Sequence, residues 1–150
     1  MIKSTFEQEL ERSGRLIYYC VGDSMMPMLR QKKDLMIINK KPSGRCRKYD
    51  VVLYRRDTGQ YVMHRILKVR KHDYVICGDN RYRREYGITD CHFIGVLSGF
   101  LRNGKTHYVN EKSYKLYVHL YCDFFYVRAL ILSAKHFLHK LKNKIWKHCY

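Results

Sequence analysis

Residues 51–69 read VVLYRRDTGQYVMHRILKV. Val51 to Tyr54 and Tyr61 to Val69 are rich in the branched and aromatic residues that suit a pleated surface. Asp57-Thr58-Gly59 between them carries turn chemistry. Further runs of the same kind flank this pair: Leu16 to Val21, Leu35 to Ile38, Tyr74 to Cys77 and Phe93 to Leu101. Pro42-Ser43-Gly44 and Asn103-Gly104 add turns, and Asn-Gly is a hairpin signal because both residues tolerate positive φ. Six or more short strands between Arg15 and about Val109 predict a mainly β fold, a coiled β-sheet or partly open barrel.

The two ends change period. Phe6 and Leu10 are one helical turn apart, Ser4 with Glu7 fits a capping box, and Ser13-Gly14 is a stop signal. A short N-terminal helix over residues 1–14 is expected. From about Tyr114, Leu120, Phe124, Val127, Ile131, Ala134, Leu138, Leu141 and Ile145 recur at three- and four-residue steps. Residues 113–150 therefore read as one amphipathic basic helix. After Asp123 there is no acid, while Arg128, Lys135, Lys140, Lys142, Lys144 and Lys147 are cationic. Such a stripe serves packing on the sheet, pairing with a second copy, or contact with an anionic membrane surface through residues 118–150.

The chain has 150 residues, enough for one ordinary domain, and 46% of them are apolar, which excludes wholesale disorder. Thirty Lys and Arg against 13 acids give a formal charge of +17, which favours anionic partners. The six cysteines include no C-x-x-C pair, so zinc-ribbon and thioredoxin-type chemistry has no support, and no metal or cofactor is expected. The polar opening MIKSTFEQELERSG lacks the apolar stretch of a signal peptide. The expectation is free thiols and a cytoplasmic protein, peripheral on the inner face of the membrane if the tail binds lipid. The stretch Tyr117 to Leu138 is interrupted by Asp123, Arg128, Lys135 and histidines, too polar for an uninterrupted span.

Three segments hold candidate chemistry. In Gly22-Asp23-Ser24-Met25-Met26-Pro27-Met28-Leu29, Ser24 follows a strand and a glycine. A serine at such a junction exposes its hydroxyl beside backbone N–H groups that can hold an oxyanion. By itself the segment also reads as a turn that satisfies its own backbone. His64 lies in a strand-like run; it is a half-buried strand histidine or a general base suited to neutral pH. Gly78-Asp79-Asn80 is, alone, a turn at a strand end.

Taken in order, G-x-S-M-x-P-x-L at Gly22–Leu29, D-V-V at Asp50–Val52, H-R-I at His64–Ile66, G-D-N at Gly78–Asn80 and I-G-V at Ile94–Val96 resemble the serine peptidase clan of type I signal peptidases and LexA-like repressors. The resemblance covers about Tyr18 to Leu101. It implies a signal-peptidase-like catalytic β-domain over residues 15–112, with Ser24 as nucleophile and the Ser24 backbone N–H in the oxyanion hole. Met25, Met26 and Pro27 would shape the substrate pocket. His64 stands where bacterial members carry a lysine base and endoplasmic-reticulum-type members a histidine. A histidine base gains from an orienting carboxylate. Glu85 is the favoured candidate, with Asp79 shaping the loop and Asp90 more distant.

Departures from the pattern narrow the expectation. Gly22 replaces the serine that helps the oxyanion hole in bacterial signal peptidases, so the hole would be backbone only. An N-terminal anchor and a DNA-binding helical domain have no counterpart here, and 23 residues before Ser24 leave no room for a LexA-like self-cleavage site. The expected function is a minimal serine endopeptidase cleaving a signal- or leader-type peptide in trans. The alternative is a non-catalytic relative that binds peptide or nucleic acid. No nucleic-acid motif accompanies the charge, which counts against the latter.

Overall fold

The computed structural model describes residues 5–148, and side chains as far as His139. Eight strands form one antiparallel sheet: β1 (Arg15–Tyr19), β2 (Leu35–Lys40), β3 (Val51–Arg55), β4 (Tyr61–Val69), β5 (Tyr74–Cys77), β6 (Glu85–Ile88), β7 (Phe93–Arg102) and β8 (Lys105–Tyr108). Their order is β1-β2-β7-β3-β4-β5-β6, with β8 hairpinned onto β7. The path has two ends, so the sheet is open and does not close into a barrel. The strands predicted at 61–69 and 74–77 coincide with β4 and β5.

Side chains alternate across each strand and so build two cores. One holds Leu10, Leu29, Met36, Ile38, Val51, Leu53, Leu97 and Phe100. The other holds Val52, Tyr54, Ile66, Tyr74, Ile76 and Phe93. Truncating a fully buried member such as Ile38 or Ile66 to Ala costs about 2–5 kcal/mol, because the neighbours cannot close the hole.

Helix α1 (Phe6–Ser13) packs beside β1 and caps itself through Thr5 and Gln8, not Ser4 and Glu7. Ser4 lies outside the described residues. The Glu7 carboxylate instead accepts a hydrogen bond from Tyr61 Oη at 2.7 Å, tying the helix to β4. The single C-terminal helix expected at 113–150 is two helices, α2 (Lys112–Cys122) and α3 (Phe125–His148), bent by 71°. The cause is tertiary. Tyr114 Oη accepts from buried Arg65 at 3.0 Å, Tyr117 Oη donates to Asp79 at 3.2 Å, and Tyr49 Oη donates to Asp123 at the break. These bonds hold α2 on the sheet while α3 departs. Among the described residues, no single helix is long and apolar enough to cross a membrane, and Cys20, Cys46, Cys77, Cys91 and Cys122 are free thiols. Cys149 lies outside the described residues.

Candidate active site

The register of the sheet brings the chemistry together. His64 pairs with Val52 across β3 and β4, and Tyr54 pairs with Val62, so Tyr54 and His64 are diagonal neighbours on one face. Ile76 pairs with Ile66 on one side and Glu85 on the other. Glu85 therefore joins the same face from a third strand. Its aim depends on a bulge: β6 runs from Glu85 to Ile88 against Ile76 to Tyr74 of β5, one residue more than its partner. Gly87 takes the extra step at φ +74°, a conformation a side chain would strain. A regular ladder counted back from the Tyr74–Ile88 pair would instead set Tyr86, now exposed, opposite Ile76 in place of Glu85.

The resulting cluster is close-packed. Glu85 Oε1 lies 2.9 Å from His64 Nδ1, and Tyr54 Oη lies 3.2 Å from the same nitrogen. Arg56 donates to both oxygens of Glu85, at 3.0 and 2.6 Å. Burial alone would raise the Glu85 carboxyl, but hydrogen bonds from His64 and Arg56 outweigh it and bring the group from its ordinary 4.5 down to about 2. The acid is therefore ionised at neutral pH. Burial and the adjacent Glu85 charge raise the Tyr54 hydroxyl, which stays protonated. His64 is buried, so its ring is held by this cluster and not by water.

Its other nitrogen faces the Ser24 turn. A Cβ built on Gly78 would stand 3.0 Å from His64 Nε2 and 2.6 Å from the Ser24 carbonyl oxygen. The two segments thus meet over Gly78, where only a glycine fits. The loop beyond it is stitched to the serine turn. Asn80 N–H donates to Ser24 O at 2.7 Å, Asn80 Nδ2 to Asp23 O at 3.2 Å, and Arg81 to the Asp23 carboxylate at 2.5 Å. That pairing lowers the Asp23 carboxyl. Among the described residues, the Ser24 N–H meets no backbone acceptor, which leaves it available to an oxyanion.

A cavity of about 300 Å³ lies in front of this cluster. Cys20 to Met25 form one wall and Gln60 to His64 the other, with Arg56 and Arg81 at the rim. Buried Cys20, Met25 and Met36 give it an apolar floor. A larger cavity of about 620 Å³ lies beyond Arg56. Lys40–Glu11 and Arg55–Glu7 pair within its lining, His92 Nε2 lies 3.3 Å from Asp57, and it holds neither Ser24 nor His64.

Of the residues singled out from sequence, Ser24, Met25 and His64 line one cavity and Glu85 holds the His64 ring, while among the described residues no hydrogen bond joins the Ser24 hydroxyl to His64. Met26 and Pro27 are exposed and stand outside the cavity wall, because the turn carries them past it after Met25. Asp79 does not reach His64. It is fully buried and takes two hydrogen bonds from equally buried Arg65, at 2.8 and 2.7 Å. The Arg65 guanidinium is raised well above its ordinary value: burial opposes the charge, and Asp79 more than offsets it. Asp90 is held by Tyr74, Arg45 and Lys41 on the far side of the second core. Arg56 and Tyr54 belong to the cluster and were not foreseen. Their only sequence signals are the next-to-last position of β3 and a charge just after that strand. Compared with known proteins, the chain matches no family model, no curated protein and no solved structure.

Proposed function

We propose that the chain is a serine endopeptidase of the signal-peptidase and LexA-like kind, acting on a signal- or leader-type peptide. The observation that carries this reading is the His64 ring. One nitrogen is 2.9 Å from a carboxylate and the other is turned to the Ser24 segment. A buried strand histidine with a purely structural role needs no ionised acid, no arginine behind that acid, and no open cavity in front.

The chemistry follows from the groups present. His64 Nε2 takes the Ser24 Oγ proton as the oxygen bonds to a peptide carbonyl carbon. The resulting oxyanion is met by the Ser24 N–H. Glu85 holds the ring and stabilises the imidazolium without itself taking the proton. His64 then protonates the leaving amine, the C–N bond breaks, and an ester to Ser24 remains. Water, deprotonated by the same nitrogen, releases the acid product and restores the hydroxyl. Arg56 fixes the Glu85 rotamer and keeps the carboxylate charged.

An extended substrate suits the cavity. Among the described residues, β1 is paired only with β2, and residues 61–64 of β4 only with β3, so one wall and the strand that leads into the other offer free edges. The apolar floor at Cys20, Met25 and Met36 suits a small apolar residue next to the scissile bond.

The test is covalent labelling with a fluorophosphonate and a β-lactam-type acylator, read by intact mass, alongside cleavage of a peptide library. The parent should gain one adduct and cleave, while Ser24→Ala and His64→Ala should do neither. Cleavage that persists in Ser24→Ala removes the proposal. Peptide binding with no cleavage or labelling by the parent favours the non-catalytic alternative.

A further inference from the structure

As far as its side chains are described, the apolar stripe along the C-terminal helices is left largely unpacked. Leu120, Phe124, Val127, Ile131 and Leu138 are all half exposed or more, Val127 at 57% and Ile131 at 50%. Few soluble surfaces leave such a row to water. We propose that this face of α2 and α3 docks on an anionic lipid bilayer, lying in the interface with its apolar side down.

Charge selects this occupant over a second copy of the chain. From Phe124 to Tyr150 there are six Lys and Arg and no acid. Pairing two such helices would press like charges together, whereas anionic headgroups neutralise them. Lys135 flanks the stripe, and its methylene stem can lie along apolar surface while the ammonium reaches headgroup depth. A second observation lies where α3 begins. Arg84 and Arg128 both stack on the Phe125 ring, at 4.1 and 4.9 Å. Arg84 Nε and Arg128 Nε and Nη2 are buried with no hydrogen-bond partner. These enclosed guanidiniums and the buried Phe125 ring seat the start of α3 on the sheet domain, which leaves the apolar row facing outward. By length and composition the bent pair would also serve as a broken span, but the 71° bend, with Asp123 and Arg128 beside it, suits an element lying in the interface.

The helix is also joined to the site. Its contacts with the sheet domain include Tyr82 against His136 and Arg84 against Phe125 and Tyr126, on the segment between Asp79 and Glu85. The docking proposal itself does not depend on Ser24 chemistry, so a Ser24→Ala protein should bind vesicles as the parent does.

The experiment is co-sedimentation of the full chain with phosphatidylcholine vesicles and with vesicles containing phosphatidylglycerol, at low and high salt. The parent should pellet with the anionic vesicles, at least about tenfold more tightly than with neutral ones, and lose binding as salt rises. Val127→Glu with Ile131→Glu should abolish binding while the thermal melt is unchanged, since both positions are exposed. Lys140, Lys142 and Lys144 changed together to Gln should weaken binding to the anionic vesicles alone. Equal binding to neutral vesicles, no binding by the parent, or full binding by either variant overturns the proposal. So does a parent that sediments as a dimer and becomes monomeric in the Val127→Glu, Ile131→Glu variant.

Discussion

His64 and Arg65 are neighbours in β4 and turn to opposite faces of the sheet. His64 meets the Glu85 carboxylate at 2.9 Å, and Arg65 meets the Asp79 carboxylate at 2.7 Å. One strand thus supports a histidine–carboxylate contact and an arginine–carboxylate ion pair, with different surroundings. The first opens on a cavity and leaves a ring nitrogen unused by the carboxylate. The second is sealed, with both partners fully buried. Period-two alternation alone separates them.

Substituting each acid should therefore give different signatures. Glu85→Gln should lower kcat, by as much as ~10⁴-fold, far beyond what its partial loss of the Arg56 and His64 bonds costs in thermal midpoint. Ionised down to about pH 2, Glu85 contributes no limb to the rate profile above pH 4, so the loss should be uniform across that range. Asp79→Asn should leave Arg65 buried without its counter-charge and cost about 3–5 kcal/mol, read as a drop in melting temperature. A full-rate Glu85→Gln protein would remove Glu85 from the mechanism.

Gly78→Ala is expected to be more damaging to rate than its size suggests. The new methyl would stand 2.6 Å from a backbone oxygen of the serine segment and 3.0 Å from the imidazole. The backbone oxygen cannot step aside without moving Ser24, and the Asn80–Ser24 bond resists that movement. Cleavage should fall by about 10²-fold, as for other small misplacements of reacting groups, with folding retained. A Gly78→Ala protein with parental kcat would show that the two segments need not meet closely.

How much of this was legible in the sequence differs from element to element. β4 and β5 announce themselves because both their faces are buried and their runs are continuous. β6 does not: Glu-Tyr-Gly-Ile has an exposed centre and a bulge, so neither alternation nor apolar content marks it. Glu85 was legible only by its offset from the G-D-N loop, and its aim at His64 is a matter of register. Arg56 is invisible for a related reason. A charge after a strand looks like any turn residue until the fold brings a carboxylate to it from 29 positions away. The break between α2 and α3 has no proline or glycine. The 3.6-residue period runs straight through Asp123-Phe124, and only the tyrosine contacts with Arg65, Asp79 and Asp123 reveal the bend.

Asp34 governs stability in acid. It is fully buried and takes hydrogen bonds from Arg102 and Arg30. Burial would raise its carboxyl; those bonds outweigh burial and bring it from 3.8 to about 2. The folded state thus holds the proton less tightly than the unfolded chain. The stabilisation is complete above about pH 4 and disappears as pH falls towards 2. Asp34→Asn should cost about 2–3 kcal/mol at pH 7, and its melting temperature should converge on that of the parent as the pH approaches 2. A constant gap across that window would mean that the ion pairs are not what Asp34 contributes.

Tyr117 tests whether α2 supports the site from behind. Its hydroxyl donates to Asp79 Oδ2 at 3.2 Å, and burial with the nearby Asp79 charge raises the group so that it remains a donor. Tyr117→Phe keeps the ring packing against Tyr121 and deletes one bond to a buried carboxylate. The expected loss is about 1.5–3 kcal/mol, the range for a hydrogen bond to a charged group. Asp79 begins the turn to Asn80, whose N–H holds the Ser24 carbonyl. A loosened Asp79 should therefore lower kcat several-fold at temperatures well below the melt, leaving KM nearly unchanged. A structural tyrosine without this connection would lower the melting temperature and leave kcat of the folded fraction intact.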